Sequence, residues 1–364
     1  MRAGLIYRNI SRIPGGAELV AASMLNSLKR SGFKTFLLSG KKFDADSFMR
    51  NFKTSVPIDQ ELILPFWFQN VETYLEFVLP WFGKPFCDVL IDAYDSAVLP
   101  WVDVTYFHFP RTYLLDKRGQ KSKAWRYYYK PYQLLEHVLS SHASGKLFLA
   151  NSRYTADLVK KQLGLNPIVL YPPVDVEKLI DSKSYLNKRN LVLTISRFSS
   201  EKNLEEIPFV AKRVKADFVI MGSIDEPAVY RRLLGLIRDN GVEYKVKLIL
   251  NAPLNTKIEL LQKAKVYFHP MHSEHFGISI IEGMAAGCIP VVQDSGGPKE
   301  FVPDKWRYKD SEKAIQKIQE ALDSWRPSIA QEMKTFAYKF RKERFENEFL
   351  EELNSYLSEK TTNL

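Results

Sequence analysis

The sequence predicts an α/β protein built on parallel sheets, and two observations carry that prediction. Short apolar runs near 3–7, 35–38, 88–91, 102–107, 147–150 and 168–170 are separated by helical periodicity near 16–30, 122–141 and 152–163. After Tyr171-Pro172-Pro173-Val174-Asp175 the alternation starts again, with strand-like runs near 190–195, 217–221, 246–250, 266–269 and 289–292. Strands that alternate with helices read as βαβ units, whose strands pair in parallel. Two consecutive prolines enforce an extended segment that neither neighbouring helix can absorb, so they mark a domain boundary.

Composition fits this plan. A chain of 364 residues is long enough for two domains, each with its own core, and 45% hydrophobic residues mark it as globular. Cys87 and Cys288 lie far apart beside apolar segments, which argues against a disulfide framework and for a reducing compartment. The first strand runs straight into a polar loop without the apolar region of a secretory signal, and no apolar run approaches the ~18 residues of a membrane span. The expectation is a cytoplasmic protein, free or peripheral on a membrane. The net charge of +10 favours polyanions, anionic lipid or a phosphorylated substrate. No nucleic-acid-binding module or basic recognition helix is evident, so nucleic acid is not an expected partner. Beyond residue 311 the chain turns helical, and 336–357 reads as one long amphipathic helix with Tyr338, Phe340, Phe345 and Phe349 among its apolar positions.

The most informative passage is Glu274-His275-Phe276-Gly277-Ile278-Ser279-Ile280-Ile281-Glu282. It follows a buried strand ended by Pro270 and opens an Ala- and Gly-rich helix near Gly277. That places it at a strand's carboxyl end, where open α/β sheets bind ligands and helix N–H groups favour anionic or hydroxyl-rich ones. Glu274 and Glu282 flank this turn from loop and helix.

With Met284-Ala285-Ala286-Gly287 and Ser295-Gly296-Gly297-Pro298-Lys299 behind it, this E-x7-E string resembles retaining glycosyltransferases of family 4. It is most like the mannosyltransferases that extend lipid-linked oligosaccharides on the cytosolic membrane face. The resemblance runs in order along nearly the whole chain but is dense only in 195–203 and 266–302. It implies the GT-B architecture: two Rossmann-like domains with parallel sheets facing across a cleft, and a last helix that crosses back to the first domain. Residues 1–172, joined by about 340–364, would then bind the acceptor, and 173–339 the nucleotide sugar. No cofactor is implied.

Ile195-Ser196-Arg197-Phe198-Ser199-Ser200-Glu201-Lys202-Asn203 lies between a strand and a helix. Two cations five apart in such a loop can converge on a pyrophosphate, Arg197 as a planar fork and Lys202 as a point charge. The competing reading is a solvated loop in which Glu201 pairs with Lys202. The resemblance gives Arg197 and Lys202 the departing nucleoside diphosphate, Glu274 the donor sugar and transferring centre, and Glu282 the ribose. His275, Phe276, Gly277 and Ile278 belong to the loop that grips sugar and phosphate. Gly15 and Gly16 open a helix after the first strand, where glycine allows close backbone approach, and they match the family's glycine loop, which the resemblance gives to the donor's diphosphate and sugar. His108 ends another strand and matches the active-site histidine, against the alternative of a satisfied core residue.

No metal is assigned. His272 and His275 lack helical ligand spacing around Glu274, and Asp44-Ala45-Asp46 fits the metal-dependent Asp-x-Asp pattern without a strand leading into it. In the family, retention is ascribed to front-face attack in which the leaving phosphate takes the acceptor's proton, not to a double displacement between two carboxylates.

The expected activity is transfer of a hexose, mannose from GDP-mannose, to a lipid-linked saccharide or related glycan. The alternatives are a UDP-sugar transferase with a soluble acceptor, a GT-B epimerase, and a basic binding protein without activity. Aromatic density in 62–86 (Phe66, Trp67, Phe68, Tyr74, Phe77, Trp81, Phe82, Phe86) suits a membrane interface. So do the cations Lys117, Arg118, Lys121, Lys123, Arg126 and Lys130 beside Trp125 and Tyr127–Tyr129. The competing reading makes the rings core and the cations a solvated face.

Overall fold

All the apolar runs predicted to be strands are strands, and they form two separate parallel sheets. The computed structural model describes residues 1–7, 15–52, 56–64, 77–94, 97–111, 123–180 and 188–362. It divides into one compact unit of Met1–Pro173 with Lys342–Leu364 and a second of Val174–Arg341.

In the first unit β1 (Arg2–Ile6), β2 (Lys34–Ser39), β3 (Gln60–Ile63), β4 (Val89–Asp92), β5 (Val104–Phe107), β6 (Leu147–Ala150) and β7 (Ile168–Val169) pair in the order β3-β2-β1-β4-β5-β6-β7. Strand β3 was not predicted. Its Gln-Glu-Leu-Ile has only one buried residue, so the apolar signal was absent from this edge strand. One face of the sheet is covered by the helix Gly16–Arg30 and by the last helix, Lys342–Thr362. Phe345, Phe349 and Leu353 of that last helix share a buried cluster with Leu5, Val20 and Leu28.

The second unit pairs β8 (Arg189–Ile195), β9 (Asp217–Gly222), β10 (Val246–Leu250), β11 (Ala264–His269), β12 (Ile289–Gln293) and β13 (Arg307–Tyr308) in the order β10-β9-β8-β11-β12-β13. Two glycines set its close contacts. A Cβ on Gly222 would lie 1.8 Å from the Ser196 carbonyl oxygen, and one on Gly283 would lie 2.7 Å from the Tyr267 ring. The first lets the end of β9 meet the Ser196-Arg197 turn, and the second seats the helix Ile278–Ala285 against β11.

The predicted single helix over 336–357 is two helices, Pro327–Tyr338 and Lys342–Thr362. Phe340 causes the break. Its ring packs against Phe276 and Phe301 at 5.5 Å from each, and its carbonyl accepts the Val174 N–H at 2.9 Å. Tyr338 is 49% exposed and does not join an apolar stripe with Phe345. No Gly or Pro marks the stop, so periodicity ran through it.

Candidate active site

Strand β11 ends at His269, and the chain turns through Pro270–Gly277 before the helix Ile278–Ala285. Gly277 caps that helix with φ +98, a backbone conformation in which a side chain is strained. The turn is pinned from behind by the loop after β12. The Gly297 N–H donates to the Glu274 carbonyl at 2.8 Å, and the Ser273 N–H donates to Ser295 Oγ at 2.9 Å. A Cβ on Gly296 would sit 2.3 Å from the Glu274 carbonyl oxygen, and one on Gly297 2.2 Å from that of His275. The Ser-Gly-Gly-Pro string is therefore the seat on which the Glu274 turn rests.

Glu274 is buried and bonded on both oxygens. Its Oε2 accepts from Lys202 Nζ at 3.0 Å and from His269 Nε2 at 2.8 Å, while Oε1 accepts the His275 N–H at 3.0 Å. Burial alone would raise this carboxyl. The Lys202 ammonium and then the His269 hydrogen bond outweigh it and hold the group well below the usual carboxylate range. Lys202 also lies 3.0 Å from Met271 Sδ. It reaches the turn because Asn203 adopts a left-handed conformation, φ +50, ending the short turn Ser200–Lys202. The Asn203 amide donates to Glu206 Oε2 at 3.0 Å and to the Pro270 carbonyl at 3.3 Å, which ties the Lys202 turn to the Glu274 turn.

Arg197 is not in this cluster. Its guanidinium is exposed and pairs with Asp225 at 3.0 Å and Glu201 at 3.2 Å, so Glu201 serves Arg197 instead of Lys202. Glu282 is held by Lys257 Nζ at 2.6 Å. His275 and Ile278 are half-buried beside the turn. The Phe276 ring is 3% exposed and packs among Phe301 and Phe340. The ring packs into the core, so Phe276 itself offers a ligand only its backbone.

In the first unit Gly15 caps the helix Gly16–Arg30, and its N–H donates to Glu18 Oε2 at 2.6 Å. Residues 8–14 of the same loop lie outside the described residues. His108 follows β5, and its Nε2 is 2.8 Å from the Ala93 carbonyl. Burial lowers its pKa to about 4, so the ring is neutral at physiological pH. Among the described residues no group of three His, Cys, Asp or Glu side chains is placed to hold a metal.

Residues 175–340 match the model of the family described as glycosyl transferases group 1. The match lies within the second unit, Val174–Arg341. A GDP-Man:Man(3)GlcNAc(2)-PP-Dol alpha-1,2-mannosyltransferase from Dictyostelium discoideum is 27% identical over 76% of this chain and 60% of its own length. A protein of the same name from Neurospora crassa is 29% identical over 65% of this chain and 49% of its own. The chain thus spans about half of the curated relatives it matches. Among solved structures, Anabaena HepE in complex with UDP and glucose superposes with a TM-score of 0.76 at 16% identity, covering 98% of this chain and 100% of that one. WaaG, a glycosyltransferase involved in lipopolysaccharide biosynthesis, gives 0.72 at 14% over 95% and 98%. These likenesses identify the fold as GT-B.

In the group 1 segment, sequence reasoning missed His269, Lys257 and Asp225. A histidine closing an apolar strand was the available signal for His269. Lys257 and Asp225 stand in ordinary polar stretches, and only the fold brings them to Glu282 and Arg197.

Proposed function

We propose that this chain is a retaining transferase that moves mannose from GDP-mannose to a lipid-linked glycan. The observation that carries the reading is the buried Lys202–Glu274 pair, set at the carboxyl edge of a parallel sheet inside a glycosyl transferases group 1 segment. The names of the Dictyostelium and Neurospora relatives supply donor and acceptor.

On this reading Lys202 and Arg197 take the charge that gathers on the diphosphate as the sugar–phosphate bond breaks. Arg197 is free to turn, because exposed ion pairs such as those with Asp225 and Glu201 contribute only about 0–1 kcal/mol. The acceptor hydroxyl forms its bond to the same face of the sugar carbon, and its proton passes to the leaving phosphate oxygen. Glu274 holds the sugar's side of the turn, and Glu282 with Lys257 faces the ribose. Loss of one donor to the departing diphosphate raises the barrier by about 2–4 kcal/mol. The resemblance assigns Gly15 and Gly16 to the donor's diphosphate and sugar, and His108 to a sugar hydroxyl or the acceptor.

A membrane surface as the place of reaction is supported by the helix Lys123–Ser141. Tyr127, Leu134, Leu135 and Val138 are all exposed along it, beside Trp125, Lys123, Arg126 and Lys130. Its one carboxylate, Glu136, is buried. Cations around an apolar stripe suit the headgroup region of an anionic leaflet. The 62–86 segment divides differently. Phe77 and Phe82 pack on a core cluster, Trp81 and Phe86 are exposed, and Phe66, Trp67, Phe68 and Tyr74 lie outside the described residues, as do Lys117, Arg118 and Lys121. Among the described residues no helix is long and apolar enough to cross a membrane.

The deciding experiment measures nucleoside diphosphate released from a panel of nucleotide sugars, with and without a dolichol-linked oligosaccharide. Release from GDP-mannose that depends on the acceptor is expected. Preference for a UDP-sugar, or acceptor-independent release with inversion, overturns the reading. Flotation of the full chain with anionic vesicles at physiological salt tests the membrane surface, and a chain left wholly in the pellet counts against it.

A further inference from the structure

We propose that His269 is a positioning residue for Glu274: its Nε2–H holds Oε2 of the carboxylate when Lys202 turns its charge toward a bound diphosphate. The proposal rests on the reading of Lys202 given above, but its geometric half stands alone.

Oε2 of Glu274 has two donors, Lys202 Nζ at 3.0 Å and His269 Nε2 at 2.8 Å. A lysine that neutralises a leaving group must loosen its hold on that oxygen. With Oε1 held by the His275 N–H alone, a buried Oε2 left without a donor is costly and lets the carboxylate turn from its working orientation. His269 removes that conflict. It is 3% exposed at the last position of β11, where the backbone is fixed by pairing with β12, and its ring stacks on Tyr267 with 15° between the planes. Its other nitrogen, Nδ1, is buried without a hydrogen-bond partner. The ionised Glu274 carboxylate can only accept, so the 2.8 Å contact requires a proton on Nε2. That N–H donates to Glu274.

The test compares His269→Gln, His269→Asn and His269→Leu. Glutamine reaches the place of Nε2 with an N–H, and asparagine does not. His269→Gln is expected to keep kcat within about threefold of the parent. His269→Asn and His269→Leu should lower kcat by about 10²-fold, the scale of a misplaced catalytic group, with little change in donor KM. The acid limb of kcat should also move to higher pH, because the carboxylate has lost a donor that favours its ionised form. Comparable kcat in all three variants overturns the proposal, and so does an equal fall in His269→Gln and His269→Leu. Nitrogen-15 NMR of histidine-labelled parent reads the geometry without any substrate. A protonated Nε2 that shifts in Glu274→Gln is expected, and a proton on Nδ1 overturns the assignment. If the parent releases diphosphate from no donor, the transferase reading falls while the NMR result still decides the His269–Glu274 contact.

Discussion

Lys202 and Glu274, 72 residues apart in the chain, meet at 3.0 Å with side chains only 14% and 11% exposed. Each neutralises the other in a place where neither alone would stay charged cheaply. Removing one partner of a buried pair costs about 3–5 kcal/mol. Because His269 remains on Glu274, Lys202→Met is expected near the lower end of that range. The double variant Lys202→Met/Glu274→Gln should be destabilised by less than the sum of the single changes. Urea denaturation of the four proteins measures the coupling, and strict additivity would count against a shared pair.

The same pair predicts an acid dependence. The folded-state pKa of Glu274 lies well below its ordinary value of 4.5. Above pH 4.5 the carboxylate is ionised in both states and its contribution is complete; as pH falls through the folded value that contribution is lost. Parent stability should therefore drop more steeply below pH 4.5 than that of Glu274→Gln, as read from denaturation midpoints.

His108 gives the same sign of pH dependence from a different cause. Its pKa falls from 6.5 to about 4 because burial disfavours the charged ring. Between these values the unfolded chain binds the extra proton, so the His108 contribution to stability grows as pH rises from 4 to 6.5 and is level above. A carbon-bound proton of the ring should titrate near pH 4 by NMR, and His108→Phe should flatten that part of the stability profile.

Two glycines give a matched test of backbone geometry. Gly296→Ala places a Cβ 2.3 Å from the Glu274 carbonyl at φ +74, so it should displace the turn and abolish transfer. Gly235, inside the helix Pro227–Asp239, has no heavy atom within 4 Å of a built Cβ. Gly235→Ala is expected to raise stability by about 0.5–1 kcal/mol and leave turnover unchanged. Thermal unfolding and diphosphate release read both.

The last helix belongs to the core of the first unit. Phe349 is fully buried there beside Phe345 and Leu353. Phe349→Ala should destabilise that unit by about 3–5 kcal/mol. Limited proteolysis should then open it while residues 174–341 stay protected.

The α/β class, the repeated parallel sheets and the placing of Glu274 at a strand's carboxyl end were legible in the sequence, because each rests on local periodicity and on prolines and glycines with fixed backbone demands. The Glu-x7-Glu string and the two cations Arg197 and Lys202 could be picked out in the sequence as candidates. Their partners could not. Lys202 goes to Glu274 while Arg197 goes to Asp225, and Glu282 goes to Lys257, over separations that no local pattern encodes. Phe276 stands in the middle of the motif yet belongs to the core, since Phe340, from beyond the expected helix start, packs on it. Periodicity marks most elements and their apolar faces, though it missed β3 and ran through the break before Lys342. Which charges end up sharing a desolvated space is decided only when distant turns are pressed together, as Gly296 and Gly297 press the Glu274 turn into place.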